Sequence, residues 1–513
     1  MKVPMTTADF LHRAELAYGS RVGVVDEPAP FQDGGLGRQT YSQFAERTRA
    51  LAAGLDELGV GRGERIAVVS HNSARLLEAF YGVCSYGRVL VPINFRLSAA
   101  EVAYIVEHCG ATVLLVDPEV DEALREVTAT HRFVLGEQSD AALLRPGREP
   151  IAWEEPDEDA TATINYTSGT TARPKGVQIT HRAIWANAVT FALHANVTDR
   201  DVYLHTLPMF HCNGWGMPFG MTGMGVPHVV IRKIEGAEIL RRVQKYGVTV
   251  MCAAPAVVAS VLDAVPRWEG EIPGRGRTRV ICAGAPPPSR TIQRIEEELG
   301  WEFTQIYGLT ETSPLLTVNR QRAEEDALPI EERSKRLARA GMPAIGCRVA
   351  VSQEGEVLVR SNVIMQGYWQ QPEESAAALE GGWFHTGDGG SMDDEGYLTI
   401  NDRKKDVIIT GGENVSSIEV EDALFGHPAV SEVAVIGIPS ERWGETIKAL
   451  VVLADGQEVT EAELIAHCKG RLAGYKAPTS IEFRPEIPRT ATGKIQKFKL
   501  REQYWTGRER SVN

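Results

Sequence analysis

At 513 residues the chain is too long for one ordinary core, and two to four domains or subdomains are expected. Its 43% hydrophobic and 24% charged residues describe a soluble globular protein, and a net charge of −14 argues against a nucleic-acid binder, whose affinity comes mostly from neutralising phosphates. The seven cysteines form no CxxC or Cys/His zinc spacing, no apolar run reaches the ~18 residues that span a bilayer, and the first residues, MKVPMTTADFLHRAEL, lack a signal-peptide core. A cytoplasmic placement is the expectation; peripheral membrane contact and a homodimer are compatible with it.

The first 150 residues read as scaffold. ERIAVVS (64–70) is a short apolar run followed by a helical pattern over 74–86. The helix-like AAEVAYIVEHCG precedes a second strand, TVLLVD (112–117). Such alternation predicts βαβ units around a parallel sheet. His71, His108 and His131 carry no catalytic pattern and are expected to be structural or surface residues.

ATATINY (160–166) reads as a strand and THRAIWANAVTFALHA, from Thr180, as a helix; between them lies YTSGTTARPKGV (166–177). The stretch is not the Walker pattern. Its small residues let a backbone approach a polyphosphate, while N–H groups, hydroxyls and Lys175 can donate to its oxygens. The helix downstream is expected to add a favourable dipole end.

DVYLHTLPMFHCNGWG (201–216) holds a strand and then a turn crowded with His205, His211, Asn213 and Trp215. Strand–helix alternation continues through 247–262 and through RVICAGAPPPS (279–289), where Pro288 can help open a helix. Small residues at a strand's carboxyl end leave room for a flat base, and open α/β sheets bind ligands there. In WEFTQIYGLTETSP (301–314), Tyr307 can stack on a base, Thr310 can meet an α-phosphate, and Glu311 can hold Mg²⁺, which prefers one or two carboxylates plus phosphate oxygens. The charged stretch 319–341 reads as a solvated excursion or surface helix.

From about Gly341 short alternating runs and glycine-rich turns predict a small antiparallel sheet or barrel. There WFHTGD ends in Asp388, whose carboxylate can accept both hydroxyls of a ribose. The charged run Asp402 to Asp406 is a poor core and a plausible exposed hinge, and the remaining residues alternate strand and helix in an α+β manner.

Taken together, YTSGTTARPKGV, PMFH, YGLTE, HTGD and ATGK, in this order, resemble the adenylate-forming superfamily of acyl-CoA synthetases, luciferases and adenylation domains, most closely its fatty acyl-CoA ligases. The resemblance spans about Ser42 to Tyr504. Two departures are Ala172 where the family usually has Gly, and Ala491 where it usually has Pro. The implied fold is α/β: a large N-terminal adenylation domain (1–402) of two βαβ-type subdomains plus a small β-barrel, a hinge (403–407), and a small mobile α+β C-terminal domain (408–513).

The resemblance also implies roles. Thr167, Ser168, Gly169, Thr170, Thr171 and Lys175 hold the phosphates of ATP. Glu311, with Thr167, holds Mg²⁺. Gly284, Ala285, Pro286 and Tyr307 form the adenine pocket. Asp388 and Arg403 take the ribose side. His211 lies near the acyl carboxylate, Thr310 serves the α-phosphate, and Trp215 gates the acyl tunnel. Lys405 is the hinge. Gly411, Gly412 and Trp443 serve the CoA tunnel, and Lys494 is the catalytic lysine. The implied activity is an ATP-dependent acid–CoA ligase that forms an acyl-adenylate, releasing pyrophosphate, and then a thioester, on a fatty or other hydrophobic acid. An adenylating enzyme that passes its acid, or another small anion, to a carrier protein or an amine is the alternative. The sequence alone leaves the acid open.

Overall fold

The structure is a computed structural model, and it describes residues 2–27, 35–167, 174–284, 287–403, 406–410, 413–440, 443–489 and 495–506. Four sheets organise the chain. In the seven-stranded sheet the spatial order is Gly367–Tyr368, Lys175–Thr180, Thr161–Thr167, Val89–Ile93, Arg65–Val69, Ala111–Val116 and His131–Val134. The last five are parallel and the first two are antiparallel additions. Every residue of Val89–Ile93 is buried, as a strand covered on both faces must be.

The nine-stranded sheet is parallel from Glu302–Gly308 through Arg279–Cys282, Val250–Ala253, Tyr203–His205 and His228–Val230 to Val22–Asp26. Leu315–Arg320 and Met342–Pro343 extend one edge antiparallel, and Gly37–Thr40 the other. The expected βαβ alternation therefore builds two sheets. Helix Ala74–Cys84, buried along its whole length, packs its Phe80 and Tyr81 rings on Phe219.

Local chemistry sets the helix ends. Thr40 with Gln43, Ser98 with Glu101 and Thr460 with Glu463 form capping boxes that satisfy otherwise orphaned backbone donors. The charged stretch 319–341 contains a helix, Ile330–Leu337, with Ser334 and Leu337 facing inward.

The small antiparallel unit is a four-stranded sheet of Arg348–Val351, Glu356–Arg360, Phe384–Met392 and Leu398–Arg403. Its last strand ends at Arg403, and Ile408–Thr410 begins the next sheet. That C-terminal sheet runs Glu413–Val415, Ile408–Thr410, Gly444–Leu453, Val430–Ser440, with Ser480–Phe483 parallel to Gly444–Leu453. Helices Ser417–Phe425 and Glu461–Lys469 cover it around a separate apolar cluster that includes Val420, Leu424, Val435 and Leu464. Among the described residues no helix is long and apolar enough to cross a membrane.

Candidate active site

Helix His181–His194 starts where the sequence predicts, with Thr180 as its N-cap. The stretch KGVQIT before it is nevertheless a strand, antiparallel to Thr161–Thr167. The reason is the pair of β-branched residues two apart, Val177 and Ile179, which lie on one face of an extended chain and are both fully buried. The glycine- and hydroxyl-rich loop thus joins the two strands of a hairpin. Lys175 pairs with Thr167 at the loop end, whereas Thr180 pairs with Thr161 at the other. This corrects the dipole expectation, because the helix N-terminus lies a strand's length from the loop. Thr167 and Lys175 stand at the loop's two bases; Ser168, Gly169, Thr170, Thr171 and Ala172 lie outside the described residues. One hairpin strand is anchored by a 2.7 Å hydrogen bond between Tyr166 Oη and His108 Nδ1.

The turn after PMFH has an uncommon backbone. Cys212, Asn213, Gly214, Trp215 and Gly216 all have positive φ, between 45° and 79°. A left-handed residue other than glycine costs roughly 1–2 kcal/mol, so the surroundings must impose this run. Buried carboxamides do so. Asn213 Nδ2 donates to Thr163 Oγ1 (2.9 Å), and Asn165 Nδ2 donates to Asn213 Oδ1 (3.0 Å), binding the turn to the hairpin strand. From the other side Asn187 Nδ2 donates to the Trp215 carbonyl (3.1 Å), and Asn187 Oδ1 accepts from Leu315 N (3.1 Å). Gly216 faces Asn187 so closely that a Cβ would stand 2.4 Å from Nδ2. Trp215 is 5% exposed and packs with Phe191, Tyr203, Met217 and Met221. His211 precedes the run, half-buried and in extended conformation.

Strand Glu302–Gly308 delivers the second group. Tyr307 Oη donates to Asp388 Oδ2 at 2.7 Å. Gly308 is required at its position because a Cβ would overlap the Pro314 carbonyl at 1.6 Å. Thr310 is buried, and the Cys212 Sγ lies 4.0 Å from its carbonyl. The Cys212 thiol is pushed well above its usual range, first by burial and then by the Glu311 charge, which makes it a poor nucleophile.

Glu311 and Lys175 meet on one aromatic ring. Tyr368 Oη donates to Glu311 Oε1 (3.1 Å), and Lys175 Nζ lies over the Tyr368 ring, 4.8 Å from its centre. Burial, followed by the Glu311 charge, holds the Tyr368 phenol protonated well above its usual range. One carboxylate beside hydroxyl-bearing residues is an oxygen donor set that suits Mg²⁺.

The structure therefore brings Thr167, Lys175, Glu311 and Thr310 to one region and couples Tyr307 to Asp388. Arg403 pairs with Asp388 in strand register, its side chain being outside what is described. Gly284 is exposed at the end of its strand with φ +94°, and Ala285 and Pro286 lie outside the described residues. Trp443 is exposed at the start of the C-terminal sheet's long strand. Lys405, Gly411, Gly412, Ala491 and Lys494 lie outside the described residues. Sequence reasoning missed Tyr368, Asn165 and Asn187. An aromatic pair within the polar stretch QGYWQQ was the available signal for the first.

The AMP-binding enzyme family matches residues 16–369, and the AMP-binding enzyme C-terminal domain matches residues 419–494. The 4-hydroxybutyrate–CoA ligase 2 of Metallosphaera sedula is 37% identical, over 97% of this chain and 94% of its own length. The 2-methylpropanoate–CoA ligase of Humulus lupulus is 36% identical, over 97% of this chain and 95% of its own. The crystal structure of the anthranilate CoA ligase AuaEII in complex with anthranoyl-AMP superposes with a TM-score of 0.87 at 26% identity, covering 98% of both chains. The chain belongs to the AMP-binding, adenylate-forming enzymes, the family of the acyl-CoA synthetases.

Proposed function

We propose that this AMP-forming acid–CoA ligase activates a carboxylic acid with a compact hydrophobic body. The observation that carries the proposal is the meeting of Lys175 and Glu311 on Tyr368, at the base of the glycine-rich hairpin. It supplies a cation for phosphate oxygens and a carboxylate for Mg²⁺ side by side. The dense packing around Trp215 supports a compact acid. Relatives named for 4-hydroxybutyrate and 2-methylpropanoate support the same size range.

A carboxylate is a poor electrophile because its leaving group would be oxide. Its oxygen attacks the α-phosphorus of ATP, the α–β bridging bond breaks, and pyrophosphate leaves with the electron pair. A thiolate then attacks the acyl carbon and AMP departs. The first transition state gathers charge on phosphoryl oxygens, so the site needs fixed donors more than covalent help. In this proposal Thr167, Ser168, Gly169, Thr170, Thr171 and Lys175 hold the β- and γ-phosphates. Thr310 meets the α-phosphate, and Mg²⁺, when bound at Glu311 with Thr167, offsets phosphate charge. Tyr307 stacks on adenine in a pocket completed by Gly284, Ala285 and Pro286. Asp388 and Arg403 orient the ribose, His211 orients the acid, and Trp215 forms the pocket wall. Lys494 bridges the acid carboxylate and the α-phosphate.

The same proposal divides the chain into an adenylation domain (1–402), a hinge (403–407) around Lys405, and a mobile domain (408–513). Rotation of the last withdraws Lys494 and presents Gly411, Gly412 and Trp443 to CoA. A panel of short, branched, long-chain and aromatic acids, scored for AMP with and without CoA, tests the proposal. AMP and thioester formed together from compact acids are expected. AMP formation that ignores CoA and follows an added amine, or a preference for long chains, overturns it.

A further inference from the structure

We propose that Tyr368 is a positioning residue that keeps Lys175 and Glu311 from neutralising each other, leaving the cation to meet phosphate oxygens and the carboxylate to meet a metal ion. The inference rests on the nucleotide-site assignment of those two residues and adds a third that the sequence did not single out. Two opposite charges aimed at one small region should form an ion pair. Among the described residues Lys175 forms none; its ammonium instead lies on the ring face, 4.8 Å from the centre, while the phenol edge donates to Glu311 at 3.1 Å. The ring offers each charge a different surface, a negative face to the cation and an O–H to the anion.

The ring's placement is over-determined. Gly367–Tyr368 pairs antiparallel with Gln178 and Val177, on the strand that begins with Lys175. The next residue, Trp369, donates its N–H to the Gly176 carbonyl (2.7 Å) and its indole N–H to the His108 carbonyl (3.1 Å). On the other side Met365 N donates to the Glu311 carbonyl (2.8 Å). Tyr368 N itself donates to Ser375 Oγ at 2.8 Å. The segment carrying the ring is thus bonded through its backbone to the segments carrying both charges, so the separation is built into the sheet edge.

The test is calorimetric ATP binding to the full chain, in chelator and with Mg²⁺, for the wild type, Tyr368→Phe, Tyr368→Leu, Glu311→Gln and the double variant Tyr368→Leu with Glu311→Gln. Tyr368→Leu removes the spacer, Lys175 pairs with Glu311, and metal-free ATP binding falls about tenfold or more. Glu311→Gln then restores most of that loss in the Tyr368→Leu background and changes metal-free binding far less where Tyr368 is present. Tyr368→Phe keeps the ring face, so metal-free binding stays near wild type while the gain on adding Mg²⁺ shrinks. An equal effect of Glu311→Gln in both backgrounds, or phenylalanine and leucine variants with wild-type binding, overturns the inference. The phenylalanine variant decides the matter if the leucine variant does not fold. A wild type that binds MgATP but makes no acyl-CoA overturns the proposed function alone; one that binds no ATP overturns both.

Discussion

Tyr307 Oη donates a 2.7 Å hydrogen bond to Asp388 Oδ2, tying the end of a strand in the nine-stranded sheet to the middle of the antiparallel sheet's long strand. Asp388 is only 7% exposed, so its carboxylate depends on such donors for orientation. A hydrogen bond to a charged group contributes about 1.5–3 kcal/mol. Tyr307→Phe is expected to raise KM for ATP by about tenfold while kcat changes less, since about 1.4 kcal/mol is a factor of ten. Initial rates at varied ATP measure this; an unchanged KM would contradict a role for Tyr307 in holding Asp388.

A second contact crosses between the two halves of the chain. Asp422 Oδ1, on helix Ser417–Phe425, accepts from Ser289 N (3.1 Å) and lies 3.4 Å from Ser289 Oγ. Ser289 opens the helix that follows the proposed adenine pocket. If the C-terminal domain rotates between half-reactions, this contact belongs to one arrangement and not the other. Asp422→Ala is expected to change the ratio of acid-dependent pyrophosphate exchange to thioester formation from supplied acyl-adenylate. Both rates falling by one common factor would argue against a contact that discriminates between the two.

The glycine-rich loop and YGLTE were readable from residue order because each begins at a strand end, Thr161–Thr167 for the first and Glu302–Gly308 for the second, and strand ends announce themselves by apolar runs meeting glycine and hydroxyl residues. The hairpin was misjudged for a definite reason. KGVQIT is only six residues long, and its alternation merges into the helical pattern from Thr180. Nor could periodicity foresee the left-handed run at 212–216. Its cause is tertiary, residing in Asn165 and Asn187, whose partners lie 48 and 28 residues away. Tyr368 was overlooked because its meaning depends on two charges that meet only once the sheet edge has formed.

Acid should destabilise the fold through buried histidines. His181 is fully buried; its Nδ1 accepts from Thr7 N (3.4 Å), and the Trp153 ring lies 5.1 Å away. Burial, partly opposed by the Asp157 charge, lowers its pKa from 6.5 to about 4. The unfolded chain therefore takes up this proton at higher pH than the folded one, and stability rises with pH across the window from about 4 to 6.5. His228 and His205, joined by a 2.8 Å hydrogen bond, are lowered in the same direction by burial. Denaturant unfolding at several pH values should show stability falling as pH drops below about 6.5. His181→Gln should flatten that slope by up to one proton, about 1.4 kcal/mol per pH unit. A slope untouched by the substitution would mean that His181 takes its proton without unfolding.

Trp215 couples pocket shape to backbone strain, and two substitutions separate them. Trp215→Ala empties the pocket wall and should shift the acid preference toward longer chains; an unchanged chain-length profile would remove Trp215 from the pocket. The same change should cost about 3–5 kcal/mol in stability, as for other large-to-small core substitutions. Trp215→Gly opens slightly more space, which packing alone would make the costlier change. Yet the residue sits at φ +61°, where a Cβ is strained and glycine is not. The carboxamides of Asn187 and Asn213 hold the turn in that conformation whatever the side chain. The glycine variant is therefore expected to melt no lower than the alanine variant, with the same shift in acid preference. A glycine variant well below the alanine one would mean that the turn relaxes once the indole is gone, so that Trp215 rather than the asparagines keeps it left-handed.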